Sequence, residues 1–306
     1  MSLVIPDEEQ QKIVRNALNE DVNTRQRDLE AIKEWLRKEP HLPDTWDEGR
    51  LMNFLRGCNF SLERTKRKLD MYFTMRAAIP EFFTNRDITR PELQEIVKLM
   101  RATVMPGLTA DCKRVTVAGA KAVDFDTPDI ANFMKIALMM GDLRLEMEEV
   151  GVAGDIYVLD ASVAILKHFV KVSPTIVKKF FVCVQEAYPV KVKEVHVINA
   201  TPLVDFIIKW VSPFLKEKIR NRIHVHQNME SLYRHVPKEL LPEEFGGTAG
   251  KVTEHMAKWM EALEKEKAWF AKEEGVKADE SKRPGKPTCH EELFGLEGSF
   301  KQLAID

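Results

Sequence analysis

Cysteine is scarce in this chain, and the four present, Cys58, Cys112, Cys183 and Cys289, lie far apart with no Cys-x-x-Cys pair. That spacing excludes a cysteine-ligated zinc site and a dense disulfide scaffold; the four are expected to be reduced thiols. Long hydrophobic runs are also missing. No stretch approaches the roughly 18 apolar residues a membrane span needs, and residues 1–10 hold no apolar signal core. The C-terminal Leu-Ala-Ile-Asp carries no prenylation cysteine. Charge of one sign is lacking too: 46 Lys and Arg face 48 Asp and Glu, a formal net charge of -2, so any attraction to an anion must be local. A soluble, cytoplasmic protein is expected.

Recognisable catalytic signatures are absent. The chain has no G-x-S-x-G nucleophile elbow, no G-x-x-x-x-G-K-[ST] phosphate loop and no H-E-x-x-H metal helix. Gly246-Gly247 with Gly250 lacks the strand-before, helix-after setting of a dinucleotide fingerprint and reads as a turn. His224 and His226 alternate in a strand, but two nitrogens without a third ligand make a poor zinc site. Glu146, Glu148 and Glu149 read as solvated charge on a helix. An enzyme is therefore not expected, nor a metal or other cofactor.

Against these absences stands one unusual segment. Residues 188–222 place a greasy stretch, P-L-V-D-F-I-I-K-W-V, between two basic pairs. Lys191 and Lys193 sit two apart in a strand-like run, Lys218 and Arg222 four apart in a helix-like one, so each pair shares a face and repels itself. Between positions 167 and 222 eleven Lys and Arg face four acids, a local excess of seven. A phospholipid surface is both anionic and greasy and suits such a segment. Nucleic acid suits it less, because aromatic residues are sparse among the basic ones.

The periodicities give an α/β chain. Residues 7–80 are helical throughout, with Gly57 as a helix-ending cap and Ser61 as an N-cap. Beyond residue 91, strands are expected at 114–117, 155–159, 192–198 and 223–225. Helices fall at about 92–100, 128–149, 174–187, 203–220 and 228–235, and Pro174 opens one of them. Strands separated by such helices make a mainly parallel sheet. The expected units are an N-terminal helical subdomain at 1–90, a sheet domain at 91–250 and a charged helical extension and tail at 251–306.

Several motifs resemble the CRAL-TRIO (Sec14-like) lipid-binding family, most of all its branch of α-tocopherol transfer protein and cellular retinaldehyde-binding protein. R-L-M-N-F-L-R at 50–56 with Phe60 and Arg64 resembles the family's N-terminal helical motif. Y-P-V-K-V-K at 188–193 leading to H-V-I-N at 196–199 resembles its lipid-domain core. P-F-L-K-E-K at 213–218, R-I-H-V-H at 222–226 and L-P-E-E-F-G-G at 241–247 complete the set. The resemblance implies an N-terminal helical bundle before a CRAL-TRIO domain, whose sheet holds one hydrophobic ligand under a mobile gate helix. It also implies that Lys191, Lys193, Lys218 and Arg222 bind phosphatidylinositol phosphates.

By position, the pocket is expected to include Tyr157, Leu159, Leu166, Val172, Phe180, Cys183, Val184, Val190 and Val192. The gate corresponds to residues 202–220, with Val204, Ile207, Ile208, Trp210, Val211, Phe214 and Leu215 as its apolar surface. Pro213 is its kink. The implied function is an intracellular carrier for a tocopherol, retinoid, carotenoid or phospholipid, exchanging it during transient peripheral contact with phosphoinositide membranes. The alternative is a phosphoinositide-sensing module that recruits a protein partner through the tail after residue 251.

Overall fold

The computed structural model of the chain describes residues 3–121, 129–163 and 172–295. Five helices open it: α1 (Glu8–Leu18), α2 (Arg25–Lys38), α3 (Glu48–Gly57), α4 (Leu62–Ala78) and α5 (Pro80–Phe83). Asp7 starts α1 with a capping box. Its carboxylate accepts from the Gln10 N–H at 2.9 Å, and the Gln10 side chain accepts from the Asp7 N–H at 3.0 Å. Asp47 caps α3 in the same sense, accepting from the Arg50 N–H at 2.8 Å. The apolar stripes of α2, α3 and α4 then meet, burying Ile32, Leu36, Phe54, Leu69 and Phe73.

Gly57 differs from its expected role. It is the last residue of α3 rather than a cap beyond it, and a Cβ there would fall 2.3 Å from the Pro189 carbonyl oxygen. Close approach of the helix to the start of a strand, not left-handed backbone, requires glycine here. Ser61 precedes α4, but its side chain makes no capping hydrogen bond.

Helix α6 (Pro91–Leu99) leads straight into the first of five strands, which lie in chain order across one sheet: β1 (Met100–Leu108), β2 (Lys113–Ala120), β3 (Gly154–Asp160), β4 (Val192–Ile198) and β5 (Ile223–Val225). The last four run parallel, and β1 pairs antiparallel to β2 at the edge. Crossovers place α7 (Ile130–Met147) between β2 and β3, and α8 (Pro174–Glu186) between β3 and β4. The segment expected as one gate helix is divided. It forms α9 (Val204–Val211), a 3-10 turn at Ser212–Phe214 holding Pro213, extended backbone at Leu215, and α10 (Glu217–Arg220). Proline has no N–H to continue the helical ladder.

Strand alternation sorts the sheet into two faces. Val115, Val117, Ile156, Val158 and Ile198 point to a back layer completed by Leu232 of α11 (Met229–Tyr233), Val236, Leu241, Phe245 and Val252. Thr116, Ala118, Tyr157, Leu159 and Val195 point the other way, into a cavity.

The C-terminal part is woven into the rest. Trp259 of α12 (Val252–Lys265) is wholly buried against β1 and donates from its indole N–H to the Val104 carbonyl at 3.3 Å. Glu273, ending α13 (Lys267–Glu273), pairs with Arg50 of α3 at 2.8 Å. Arg283 reaches Asp70 of α4 at 2.7 Å, and Phe294 of α14 (His290–Phe294) is buried in the helical core.

Candidate functional site

A cavity of about 450 Å³ lies between the front face of the sheet, α7 and α8. The sheet supplies Ala102, Val104, Thr116, Ala118, Tyr157, Leu159, Val192 and Val195. Phe133, Ala137, Leu138 and Met140 come from α7, and Phe180, Phe181 and Val184 from α8. Its volume falls in the range of about 300–1,000 Å³ usual for small-molecule sites, and its walls are chiefly apolar. A second depression of about 470 Å³, between α6 and α12, is a solvent-facing groove edged by Gln94, Arg101, Glu261 and Glu264.

Three ionic groups of the cavity wall, Arg144, Glu148 and Asp155, are spent on one another and on Arg114. Arg144 bonds Asp155 at 2.5 Å and Glu148 at 3.2 Å, and Glu148 also takes Arg114 at 2.9 Å. Two guanidinium groups thus balance two carboxylates. Burial pushes the Glu148 carboxyl up, but Arg144 and Arg114 outweigh it and hold the group below its ordinary value. Glu148 is therefore a buried structural acid, contrary to its expected place among solvated charges. Glu146 and Glu149 are exposed, although Glu146 reaches Arg50 at 2.7 Å. The Thr116 hydroxyl, also in the wall, is buried with no protein partner.

Six of the residues expected in the pocket line this cavity: Tyr157, Leu159, Phe180, Val184, Val190 and Val192. Cys183 and Val172 do not. Cys183 points into the helical core and Val172 packs against that core; Leu166 lies outside the described residues. Of the gate residues only Leu215 reaches the cavity, joined there by Ile219. Trp210 and Phe214 pack on the helical core, Val204 is buried, Ile207, Ile208 and Val211 are half-buried, and Phe206 is 50% exposed. Gln185 of α8 ties the segment down, donating to the Phe214 carbonyl at 2.9 Å and accepting from the Lys216 N–H at 2.7 Å.

The four basic residues converge beside one end of the cavity. Lys191 belongs to both, lining the cavity while its ammonium donates to Asn59 Oδ1 at 2.6 Å and to the Ala17 carbonyl at 3.2 Å. Burial, then the nearby charges of Lys193, Lys218 and Arg64, lower its pKa to about 8. Lys193 is lowered by burial and by Arg222, Lys113 and Lys218. Arg222 donates to the Val192 carbonyl. Among the described residues none of Lys191, Lys193, Lys218 and Arg222 is paired with a carboxylate. Concentrated positive charge without counterions is a ready site for a polyanion.

The wall residues of α7 and the N-terminal contributors Leu18, Asn53, Arg56 and Gly57 escaped sequence reasoning. A signal was present for α7, whose apolar residues nearly encircle the helix, as burial on two sides requires.

An apolar cavity on a mostly parallel sheet, beside a basic cluster, is the arrangement of a lipid-binding domain. The family described as CRAL/TRIO domain matches residues 100–247, and that described as Pinta-like, UBA domain matches residues 21–93. The chain belongs to the CRAL-TRIO family, whose members are lipid-binding transfer proteins. It is 32% identical to the alpha-tocopherol transfer protein-like protein of Homo sapiens over 265 residues, covering 85% of this chain and 75% of that protein. Clavesin-2 of Rattus norvegicus is 25% identical over 235 residues, covering 76% and 72%. The crystal structure of Sfh5 aligns over 77% of this chain and 92% of that one, with a TM-score of 0.46 and 13% identity. No helix among the described residues is long and apolar enough to cross a membrane.

Proposed function

We propose that the chain carries one neutral hydrophobic molecule of the tocopherol, retinoid or carotenoid class and exchanges it at membranes bearing phosphoinositides. The cavity carries this reading. Its wall offers apolar surface and the unengaged hydroxyl of Thr116, while Arg144, Glu148 and Asp155 are already paired and Lys191 stands at the side of the basic cluster. A neutral molecule with a single hydroxyl or carbonyl fits those terms, because a charged head in the apolar part of the cavity would find Arg144, Glu148 and Asp155 already paired, and the Lys191 ammonium is turned to Asn59 and Ala17. The position of Lys191, in the wall and in the basic cluster at once, supports coupling between cargo and phosphate binding.

The half-exposed Phe206 on α9 offers a bilayer an apolar point, and a large apolar side chain gains roughly 1.5–3 kcal/mol on full burial. The recruiting-module reading finds less support, since α12, α13 and α14 spend their apolar faces inside the chain. Extraction of the purified protein and mass spectrometry of the extract test the proposal. One isoprenoid per chain is expected, and a protein that takes up no neutral lipid from mixed vesicles overturns it.

A further inference from the structure

Four histidines and one glutamate converge on the back of the sheet, away from the cavity. Glu194 and His196 are two apart on β4; His224 lies on β5 with His226 just beyond its end, and the pairing sets His196 opposite His224. His235, just after α11, closes the group. Ring centres of His196 and His224 are 5.4 Å apart, those of His196 and His235 4.9 Å. The pair His224 and His226 gains no metal-type site of its own; folding instead brings Glu194, His196 and His235 together beside it.

The hydrogen bonds fix where the protons sit. Ser231 Oγ donates to the Asn228 carbonyl at 2.7 Å, so its single proton is used and it accepts from His226 Nδ1–H at 2.8 Å. His226 Nε2 is then a bare acceptor, and His196 Nδ1–H donates to it at 2.9 Å. His196 is left with a lone pair on Nε2. That atom is wholly buried, has no hydrogen-bond partner, and faces Glu194 Oε2 at 3.4 Å. A lone pair and a carboxylate repel unless a cation lies between them. His235 Nδ1–H donates to the same Glu194 oxygen at 3.1 Å; once that proton gives way to a metal ion Nδ1 becomes a third ligand atom, and the three ligand atoms lie within 4.8 Å of one another.

We propose that Glu194 Oε2, His196 Nε2 and His235 Nδ1 bind a divalent transition-metal ion of the zinc type, with the His224 ring packed against those of His196 and His235. Two imidazoles and a carboxylate around one point are a zinc donor set, and the His226–Ser231 chain is the outer support that holds such a ligand in its tautomer. Glu194 Oε1 stays engaged with Lys113 at 3.1 Å, which leaves Oε2 for the ion. The ion would join β4 to the segment after α11 at the open edge of the sheet.

The test uses tag-free full-length chain, stripped with a chelator and titrated with Co²⁺ and Zn²⁺. One equivalent should bind, Co²⁺ should give the visible absorption of a low-coordinate nitrogen and oxygen site, and Zn²⁺ should displace it. E194Q and H235N should each weaken binding by more than about tenfold. H255A, altering a histidine bound instead to the Ala249 carbonyl, should change nothing. Glu194 and His235 reach solvent, with side chains 22% and 38% exposed, so both can be replaced without opening the core. Should either variant fail to fold, protection of His235 by Zn²⁺ against diethylpyrocarbonate in the unaltered chain decides. No stoichiometric uptake, uptake indifferent to E194Q and H235N, or no protection overturns the proposal.

Discussion

Lys191 Nζ lies 2.6 Å from Asn59 Oδ1, so a lysine crowded by like charges is held in place by a neutral acceptor from the N-terminal helical region. The arrangement keeps the ammonium oriented without neutralising it. A bound phosphate would supply the missing counter-charge.

A pH dependence follows from the sign of the shift. Lys191 has a folded pKa of about 8, below its ordinary 10.5. Below about pH 8 it is charged in both folded and unfolded chains, and the burial penalty is fully present. Between about 8 and 10.5 the folded chain gives up the proton first, so this group's contribution to stability rises with pH there. Anion binding reverses the shift. Affinity for phosphoinositide vesicles should therefore fall between pH 7 and 9 in cosedimentation, and K191M should flatten the curve. An affinity indifferent to pH in the unaltered chain would refute the assignment.

Because Arg222 and Lys191 also bond backbone carbonyls, Lys193 and Lys218 are the cleaner probes of the cluster. Each basic residue near an anionic surface contributes about 1 kcal/mol, so K193A with K218A should weaken vesicle binding roughly 30-fold. Circular dichroism and uptake of neutral ligand should be unchanged. Binding should also weaken with added salt.

Asp142 on α7 is a separate keystone of the fold. Wholly buried, it accepts from Arg76 at 2.9 Å, Arg86 at 2.6 Å, Tyr72 at 3.0 Å and Tyr188 at 2.8 Å. Burial pushes its carboxyl up, but Arg76 and Arg86 hold it below the ordinary range. Removing one partner of a buried pair leaves charge uncompensated, at about 3–5 kcal/mol. Urea denaturation of D142A should show a loss of that size.

Trp259 tests whether the C-terminal helices belong to the folded body. Its burial against β1 implies that W259A costs about 3–5 kcal/mol. A variant as stable as the parent in urea would show α12 to be dispensable.

Legibility in the sequence followed locality. Strands β4 and β5 were readable to the residue because apolar alternation is written in neighbouring positions. Strand β1 was not among the expected strands; it holds Pro106 and Gly107, which an edge strand with a pairing irregularity between Val104 and Leu108 tolerates. Glu148 was misread because Arg114, which buries with it, comes from 34 positions away. The gate's apolar content was plain, but which side chains reach the cavity depends on a break at Ser212–Phe214 that turns most of them elsewhere. His196 and His235 acquire a shared site with Glu194 only once the sheet and the turn after α11 are formed.

Cargo stoichiometry in a filled and an unfilled cavity is the most direct test of the carrier function. Ala137 on α7 lines the cavity, and A137F places a ring in space the ligand would take. After equilibration with vesicles containing tocopherol, retinoid and carotenoid, native mass spectrometry should find one neutral lipid on the parent chain and none on A137F, with phosphoinositide binding kept. Equal lipid on both chains, or none on the parent, would contradict it.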